Sequence, residues 1–206
     1  IYVEIGPQGA RLRDATHLWG LDTQATQALI RAERRGEDIA ITCIGPGGER
    51  LVPYACLINE RRALGRGGAG AVMGAKNVKA LVVDKGSESP PLADPARYRQ
   101  AARLANEQCR RHPFTSGPLK AYGSVSTVAV TVNASIMPAF NWQRAVPVEL
   151  GKNLFGDVLR EKFLVKDVAS GEPCTAKCSK LTVVKEGPYA GAFTEGPEYE
   201  TVYALG

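Results

Sequence analysis

Histidine is scarce in this sequence, since His17 and His112 are the two that occur among its 206 residues. It has no apolar run of the ~18 residues that a membrane-spanning helix needs. The first residues lack the basic, apolar and small-residue regions of a secretory signal. A basic stripe interleaved with aromatic residues is also missing. We therefore expect a cytoplasmic protein that binds neither membranes nor nucleic acid.

The cysteines are few, odd in number at five, and widely spaced. This pattern argues against a secreted disulfide framework. Cys43 and Cys56 lie in apolar runs and are predicted to be buried small hydrophobic residues. Cys109 lies in a predicted helix with no neighbouring ligand type. Cys174 and Cys178, four positions apart in "GEPCTAKCSK", remain as candidates for chemistry.

The formal net charge of +5 is mild, and the basic residues are scattered in short groups among acidic ones. Such a distribution is typical of a solvated protein face. It also suits a phosphate-bearing ligand or an acidic protein partner.

The first half of the chain reads as a sheet with packed helices. "IYVEI" and "GARLRDA" predict two short strands around a glycine turn, and Asp22 or Thr23 can cap a helix over 23–35. Three further strands are predicted at "DIAITCIG", "RLVPYACLI" and "VKALVV". This half is predicted to be the β-sheet part of an α+β fold.

The segment 86–95 is rich in Ser, Pro and acidic residues, and it predicts a boundary between domains over 1–86 and 94–206. Beyond it the pattern is mainly helical. Helices are predicted from Pro95 to Arg111 with Asp94 as cap, through 124–136, and near 154–164.

The segment "RRALGRGGAGAVMGAKN" over 61–77 concentrates five glycines with arginines. Glycine lets the backbone approach a ligand, and exposed N–H groups before a helix can bind an anion. The segment is not a P-loop, because Lys76 is followed by Asn77, and it fits the dinucleotide fingerprint only loosely. Two interpretations stay open: an anion-binding loop, or a tight connection with close helix packing.

"ALGRGGAGAVMGAKNVKALVV", preceded by "DATHLWG" and "INERRA", closely resembles the corresponding segment of tungsten-dependent aldehyde ferredoxin oxidoreductases. "LFGDVLREKFLVKD", the cysteine segment and "GPEYETVYALG" follow in the family's order. The resemblance spans almost the whole chain and implies a fragment. It would cover the second part of the pterin-binding N-terminal domain and the start of a helical domain with the iron–sulfur and active-site residues.

The resemblance implies a tungsten or molybdenum bis-pterin centre on the β-rich base domain. By position, Arg62 would bind a pterin phosphate and Ala63 would offer its carbonyl to a bridging magnesium ion. Gly65 would contact the cofactor through its backbone, and Arg66 and Gly67 are further candidates. Arginine suits phosphate, and Mg²⁺ prefers hard oxygen ligands.

Glu198 and Glu200 follow a Gly-Pro turn at the predicted start of a helix. Acidic residues in a first helical turn are commonly there for capping and for the helix dipole. The resemblance implies instead a catalytic glutamate beside the metal, with Glu200 the first choice and Glu198 the second. Such a carboxylate would move a proton or orient water during attack on an aldehyde.

Two cysteines cannot complete a metal site locally, because such sites need about four ligands. The resembling family has a "CxxCxxxC" loop that holds a four-iron cluster. Cys174 and Cys178 match its second and third cysteines, while Gly171, preceded by Ser170, stands at the first. Three interpretations stay open: a cluster with a substitute ligand, a lost cluster, or an unrelated role.

The segment "MPAFNWQ" departs from the family, which often has an arginine where Phe140 stands. Substrate preference could therefore differ, and aromatic thioester substrates stay open. Phe140 and Trp142 are predicted to be core aromatic residues rather than substrate contacts.

The resemblance thus implies oxidation of a small aldehyde to a carboxylic acid, with electrons passed through the cluster to ferredoxin or a similar acidic carrier. Its other implied partners are the rest of the full-length chain and, as an open option, a second copy in a homodimer. A truncated or degenerate scaffold of the same family is the alternative, and a generic phosphate-ligand binder is a weaker third.

Overall fold

The computed structural model describes residues 1–35, 38–86, 91–169 and 174–205. The chain divides into two compact units, Ile1–Pro91 and Leu92–Gly206. Helices and strands occur in both units, which confirms the α+β fold class. None of the helices in these residues combines the length and the apolar character needed to cross a bilayer. The assignment of the units as pterin-binding and iron–sulfur domains stays a prediction.

The elements of the first unit, within its described residues, follow in chain order. They are β1 (Tyr2–Gly6), β2 (Gly9–Arg13), a 3₁₀ turn (Thr16–Leu18), α1 (Thr23–Glu33), β3 (Ile39–Cys43), α2 (Pro46–Glu49), β4 (Leu57–Asn59), β5 (Arg62–Leu64), α3 (Ala69–Ala75) and β6 (Ala80–Asp84).

The strands of this unit form one mixed sheet in the order β2-β1-β6-β3-β4-β5. β1 and β6 pair in parallel, and the other neighbours are antiparallel. Residues alternate between the two faces of a strand, and α1 packs on the face that carries Ile39, Ile41 and Val82. On the opposite face Ile5 and Val83 keep 39% of their surface exposed. The unit therefore offers one partly open apolar sheet face.

Helix α1 begins as predicted, because the Asp22 carboxylate accepts a hydrogen bond from the Ala25 N–H at 2.7 Å. Ile30 is fully buried against the sheet. The predicted strand at "RLVPYACLI" is largely wrong. Residues 50–56 form turns, and only β4 at its end is extended. Leu51 adopts a left-handed backbone (φ 60), and Pro53 cannot donate a ladder hydrogen bond.

A buried ion pair joins α2 to the residue before β6. The side chain of Lys79 is 0% exposed, and its ammonium contacts the Glu49 carboxylate and the Leu21 carbonyl oxygen at 2.8 Å. The same carboxylate accepts the Gly20 N–H at 3.0 Å. Both charges are thus paired and hydrogen-bonded, as buried charges must be.

Helices α2 and α3 approach each other through glycines. A Cβ added at Gly74 would lie 1.9 Å from the Gly48 carbonyl oxygen, and one added at Gly48 would lie 3.0 Å from the Gly70 carbonyl oxygen. Backbone therefore meets backbone with no room for a methyl group between the two elements.

We expect the change Gly74→Ala to lower the free energy of unfolding by about 1–3 kcal/mol, because the added methyl overpacks the contact. Gly47→Ala is the matched control. Gly47 lies in α2, is exposed, and has open space where its Cβ would stand, so helix propensity should leave stability unchanged or raised by up to ~1 kcal/mol. Thermal unfolding of the full-length protein measures both. Equal midpoints for the two variants would contradict the packing described here.

The elements of the second unit, within its described residues, also follow in chain order. They are α4 (Pro95–Arg111), α5 (Pro113–Ser116), α6 (Pro118–Tyr122), a 3₁₀ turn (Gly123–Val125), α7 (Ser126–Asn133), β7 (Pro138–Ala139), β8 (Arg144–Ala145), α8 (Val148–Gly151), a 3₁₀ turn (Lys152–Leu154), α9 (Gly156–Lys162), β9 (Leu164–Val168), β10 (Ser179–Val183), β11 (Phe193–Glu195) and α10 (Tyr199–Leu205).

The second unit has its own apolar core, built around α7 and α9 with Val128, Val132 and Leu159. The predicted helices are confirmed, and Asp94 caps α4 by accepting the N–H groups of Ala96 and Arg97. The sequence did not predict the three-stranded antiparallel sheet β11-β10-β9. In this sheet β9 precedes and β10 follows the cysteine segment, and β11 precedes the acidic motif.

Candidate functional site

The first unit presents the arginine-containing segment on a β-hairpin at the sheet edge. β4 and β5 are joined by the two residues Glu60 and Arg61, and Arg62 opens β5. Arg62 and Arg66 are exposed, as are the residues between them. The guanidinium groups are therefore placed where a solvent-borne phosphate could reach them.

The hairpin geometry also defines where the Ala63 carbonyl points. Asn59 pairs with Arg62 across the two-residue turn, so these residues form the hydrogen-bonded pair of the ladder. Antiparallel ladders alternate, and the next pair, Ile58 with Ala63, directs its backbone groups outward. Because β5 is the outermost strand that the described residues form in this sheet, the Ala63 carbonyl faces the sheet edge.

The glycines after the hairpin divide into two groups. A Cβ at Gly68 would lie 2.3 Å from the Pro53 carbonyl oxygen, and one at Gly70 would lie 2.6 Å from that of Cys56, so these glycines permit close packing. Gly67 has open space at its Cβ position and a left-handed φ of 98°, while Gly65 has only the Cys56 Sγ nearby, at 3.9 Å. Gly65 and Gly67 are exposed and leave their backbone accessible to a ligand.

The second unit contains the cysteine pair just before β10. Cys174 and Cys178 are half-buried, and Lys177 between them adopts a left-handed backbone (φ 47). The candidate first position of the loop, Ser170 or Gly171, lies outside the described residues. Within the described ranges no three His, Cys, Asp or Glu side chains converge as a metal site. The two thiols supply at most half of the ligands that a four-iron cluster needs.

A buried lysine anchors this segment. Lys180 is 2% exposed, and its ammonium donates to the carbonyl oxygens of Lys120 at 2.8 Å and Lys177 at 2.9 Å. It also pairs with the Asp167 carboxylate at 3.0 Å. The cysteine segment is thereby tied to α6 and to β9.

The acidic motif follows β11 through a cis Gly196–Pro197 bond. Gly196 donates its N–H to the Lys180 carbonyl oxygen at 2.7 Å, so the start of the motif is bonded to the strand that follows the cysteines. Glu198 is half-buried and Glu200 is exposed, in the first turn of α10. A hydrogen bond to Glu200 is the main cause that raises the pKa of the Tyr199 hydroxyl, followed by repulsion from the Glu200 charge.

The 3₁₀ turn Gly123–Val125 contacts both the cysteine segment and the acidic motif. A Cβ at Gly123, whose φ is 68°, would meet the Cys178 carbonyl oxygen at 2.4 Å. The adjacent Ser124 donates its hydroxyl hydrogen to Glu198 Oε2. The structure thus brings the cysteine segment and the acidic motif together on a turn that sequence reasoning did not single out. The sequence offers only a Gly-Ser pair at the start of the predicted helix over 124–136, which does not indicate this contact.

Three other predictions concern residue burial. Cys43 is buried as expected, and burial raises the pKa of its thiol to about 11, which makes it an unreactive group. Cys56 is only half-buried. The prediction of core aromatic residues at "MPAFNWQ" is wrong, because Phe140 and Trp142 are 53% and 64% exposed. They stand on the β7–β8 turn with left-handed backbones, and the Arg144 guanidinium lies over the Phe140 ring at 4.0 Å.

Comparison with known proteins identifies the family. Residues 1–85 match the N-terminal domain of aldehyde ferredoxin oxidoreductase, and residues 100–206 match its domains 2 and 3. The chain belongs to the aldehyde ferredoxin oxidoreductase family. The resemblance read from the glycine, cysteine and "GPEYET" segments is therefore confirmed.

Named members of the aldehyde ferredoxin oxidoreductase family match the whole chain. A tungsten-containing aldehyde ferredoxin oxidoreductase of Pyrococcus furiosus is 38% identical over 208 aligned residues, and one of Thermococcus kodakarensis is 36% identical over 207. In both cases 100% of this chain aligns with 33% of the relative. The chain therefore spans about a third of the length of these curated relatives, which are enzymes.

A solved structure shows the same fold. The active site complex BamBC of benzoyl-coenzyme A reductase, in complex with 1,5-dienoyl-CoA, superposes with a TM-score of 0.70 at 24% identity. The match covers 91% of this chain and 30% of the other. The two proteins therefore share a fold.

Proposed function

We propose that this chain is part of an oxidoreductase that converts a small aldehyde to a carboxylic acid at a tungsten or molybdenum bis-pterin centre. The overall change adds water to the aldehyde and releases two electrons and two protons. The observation that carries the proposal is the exposed arginine hairpin followed by two open glycines, in a chain whose family relatives are named tungsten enzymes. When bound, such a centre supplies oxygen transfer and the two-electron oxidation.

The hairpin residues fit the phosphate end of such a cofactor. Arg62 and Arg66 offer planar, permanently charged donors, and Gly65 and Gly67 allow a ligand to approach the backbone. The outward Ala63 carbonyl is a hard oxygen, which is the ligand type that Mg²⁺ takes. The partly open face of the sheet supplies apolar surface for a flat ring system.

Glu198 and Glu200 are proposed as the groups that hold or move a proton at the substrate. Glu198 has a fixed orientation through Ser124, whereas Glu200 is exposed beside Tyr199. A positioned carboxylate within reach of the reacting atoms can take a proton from water or return it to product oxygen.

Cys174 and Cys178 are proposed as two ligands of an iron–sulfur cluster whose other ligands lie outside the described residues. Two thiols are an incomplete ligand set for such a cluster. Exposed Lys120 and Lys177 lie beside this segment and would favour an acidic electron carrier such as ferredoxin.

An apolar cavity of about 400 Å³ in the second unit is lined by Phe155, Phe163, Phe193 and Val202. We propose that parts of the full-length protein outside this chain cover it, since large open apolar surfaces mark interaction sites. A second copy of the chain is the other candidate occupant. Sedimentation of the full-length protein as a monomer would exclude that alternative.

Metal and pterin analysis of the full-length protein, expressed with tungstate, tests the proposed function. We expect tungsten or molybdenum together with pterin, and aldehyde-dependent reduction of a ferredoxin or viologen dye. Absence of both metals and of pterin would favour the second candidate, a non-catalytic scaffold of the same family. The replaced first cysteine of the loop is the observation that favours that candidate.

We expect Arg62→Ala in the full-length protein to lower the tungsten and pterin content about tenfold or more, since charge-assisted hydrogen bonds contribute about 1.5–3 kcal/mol. Arg62→Lys keeps the charge but loses the planar fork and should be intermediate. Arg97→Ala, at an exposed position of α4, is the control. Metal analysis and fluorescence of the oxidised pterin measure the effect. Full occupancy in Arg62→Ala would remove Arg62 from the proposed cofactor site.

A further inference from the structure

The hydroxyl of Ser124 makes two hydrogen bonds at the start of α10. It donates to Glu198 Oε2, and it accepts the N–H of Tyr199 at 3.1 Å. A serine hydroxyl has one hydrogen to donate and two lone pairs, so these bonds use its donor and one acceptor. Ser124 and Glu198 are 74 positions apart in the chain, so the contact is a tertiary one.

The turn that carries Ser124 is held on both sides. Gly123 lies so close to the Cys178 carbonyl that a side chain there would collide with it. Val125 is 1% exposed in the apolar core, and Thr127 donates its hydroxyl to the Ser124 carbonyl at 2.9 Å. Ser124 therefore has little freedom to move, and the bond it makes defines the direction of the Glu198 side chain.

The other carboxylate oxygen of Glu198, Oε1, can still bind or exchange a proton with a ligand. Within the described part of the chain, no hydrogen bond or ion pair involves Glu198 Oε1. One oxygen is thus fixed by Ser124, and the second can exchange a proton with a ligand.

We propose that Ser124 is the positioning residue for Glu198. Its hydroxyl holds one carboxylate oxygen and the first N–H of α10, on the same turn that packs against the cysteine segment. This inference rests on the proposed role of Glu198 in aldehyde oxidation.

The test compares Ser124→Ala, Ser124→Thr and Ser126→Ala in the full-length holoenzyme. Ser124→Ala should lower kcat for aldehyde oxidation at least tenfold with less than a threefold change in KM, because the carboxylate loses its orientation. It should also accelerate hydrogen exchange at the Tyr199 amide about tenfold. Ser124→Thr keeps the hydroxyl and should restore both values to within threefold of the wild type.

Ser126→Ala is the matched control, because the buried Ser126 Oγ has no hydrogen-bond partner among the described residues. Its kcat and its Tyr199 exchange rate should equal those of the wild type. Equal losses of kcat in Ser126→Ala and Ser124→Ala would show that both changes merely loosen the turn, which would overturn the proposal. An unchanged kcat in Ser124→Ala would also overturn it.

A double-mutant cycle separates this inference from the proposed function. If Ser124 acts through Glu198, then Ser124→Ala should lower kcat less than twofold in a Glu198→Gln background. An undiminished tenfold loss there would overturn the proposal. If Glu198→Gln alone leaves kcat unchanged, Glu198 has no catalytic role. The proposal that Ser124 positions it for catalysis would then also be wrong. Tyr199 exchange in Ser124→Ala would then still report whether the hydroxyl bonds this helix.

Discussion

Replacing Lys79 with methionine is expected to lower the free energy of unfolding by about 3–5 kcal/mol. The Lys79 side chain is 0% exposed and Glu49 is 7% exposed, so the variant leaves a carboxylate buried without its cation. The Leu21 carbonyl also loses its donor. For a unit of this size the thermal midpoint should fall by more than about 10 °C. Differential scanning calorimetry of the full-length protein measures the change.

Lys85→Met is the matched control. Lys85 pairs with Asp38 at 2.7 Å, but both side chains are more than half exposed, and such pairs contribute at most about 1 kcal/mol. The double variant Lys79→Met with Glu49→Gln should recover much of the loss, because glutamine is uncharged and its oxygen can still accept the Gly20 N–H. Equal losses for Lys79→Met and Lys85→Met would show that burial of the first pair has no energetic consequence.

If Glu198 acts in the proposed aldehyde oxidation, replacing it with glutamine is expected to lower kcat by about 10²–10⁴, the usual contribution of a general acid or base. Glutamine keeps the size of the side chain and can still accept from Ser124, so the fold and the metal content should not change. The same change at Glu200, which is exposed on the first turn of α10, should have a smaller effect if Glu198 is the proton-transfer group. Single-turnover rates with a small aldehyde measure the chemical step directly.

Glu186→Gln is the control for these variants, because Glu186 is an exposed residue between β10 and β11. Its kcat should equal that of the wild type. A larger loss at Glu200 than at Glu198 would assign the proton transfer to Glu200 instead. Full activity in both variants would exclude the acidic motif from the chemistry. The tungsten content of each variant shows whether a lower kcat results only from loss of the cofactor.

Elements with strong local signals could be predicted from the sequence. Helices α1 and α4 begin at aspartate caps, and β3 and β6 are β-branched runs flanked by turn residues. In each case the deciding interaction is local, so the residues themselves contain the information.

Elements that depend on distant partners could not be predicted. β10 contains the buried charge of Lys180, which is acceptable only because Asp167 and two carbonyl groups from other segments surround it. Residues 50–56 have the apolar character of a strand, yet their backbone packs against Gly68 and Gly70. Tertiary contact outweighs strand propensity at both places.

The candidate site shows the same division. The glycine segment could be recognised, but its sequence does not tell the glycines that pack, such as Gly70 and Gly74, from the open ones at Gly65 and Gly67. Ser124 carries no sequence signal of its own, because its role exists only through a contact with Glu198. Distances, which a sequence lacks, distinguish these residues.

The parallel pairing of β1 with β6 affects how the first unit forms during synthesis. Tyr2 lies beside Ala80 in the sheet, so the chain between them must close into a long loop before these strands gain their hydrogen bonds. Such closure costs entropy and slows folding. The hairpin with Arg62 leaves the ribosome before β6, and its supporting sheet is then still incomplete. If the proposed cofactor binds at this hairpin, its insertion is expected only after synthesis has passed Asp84.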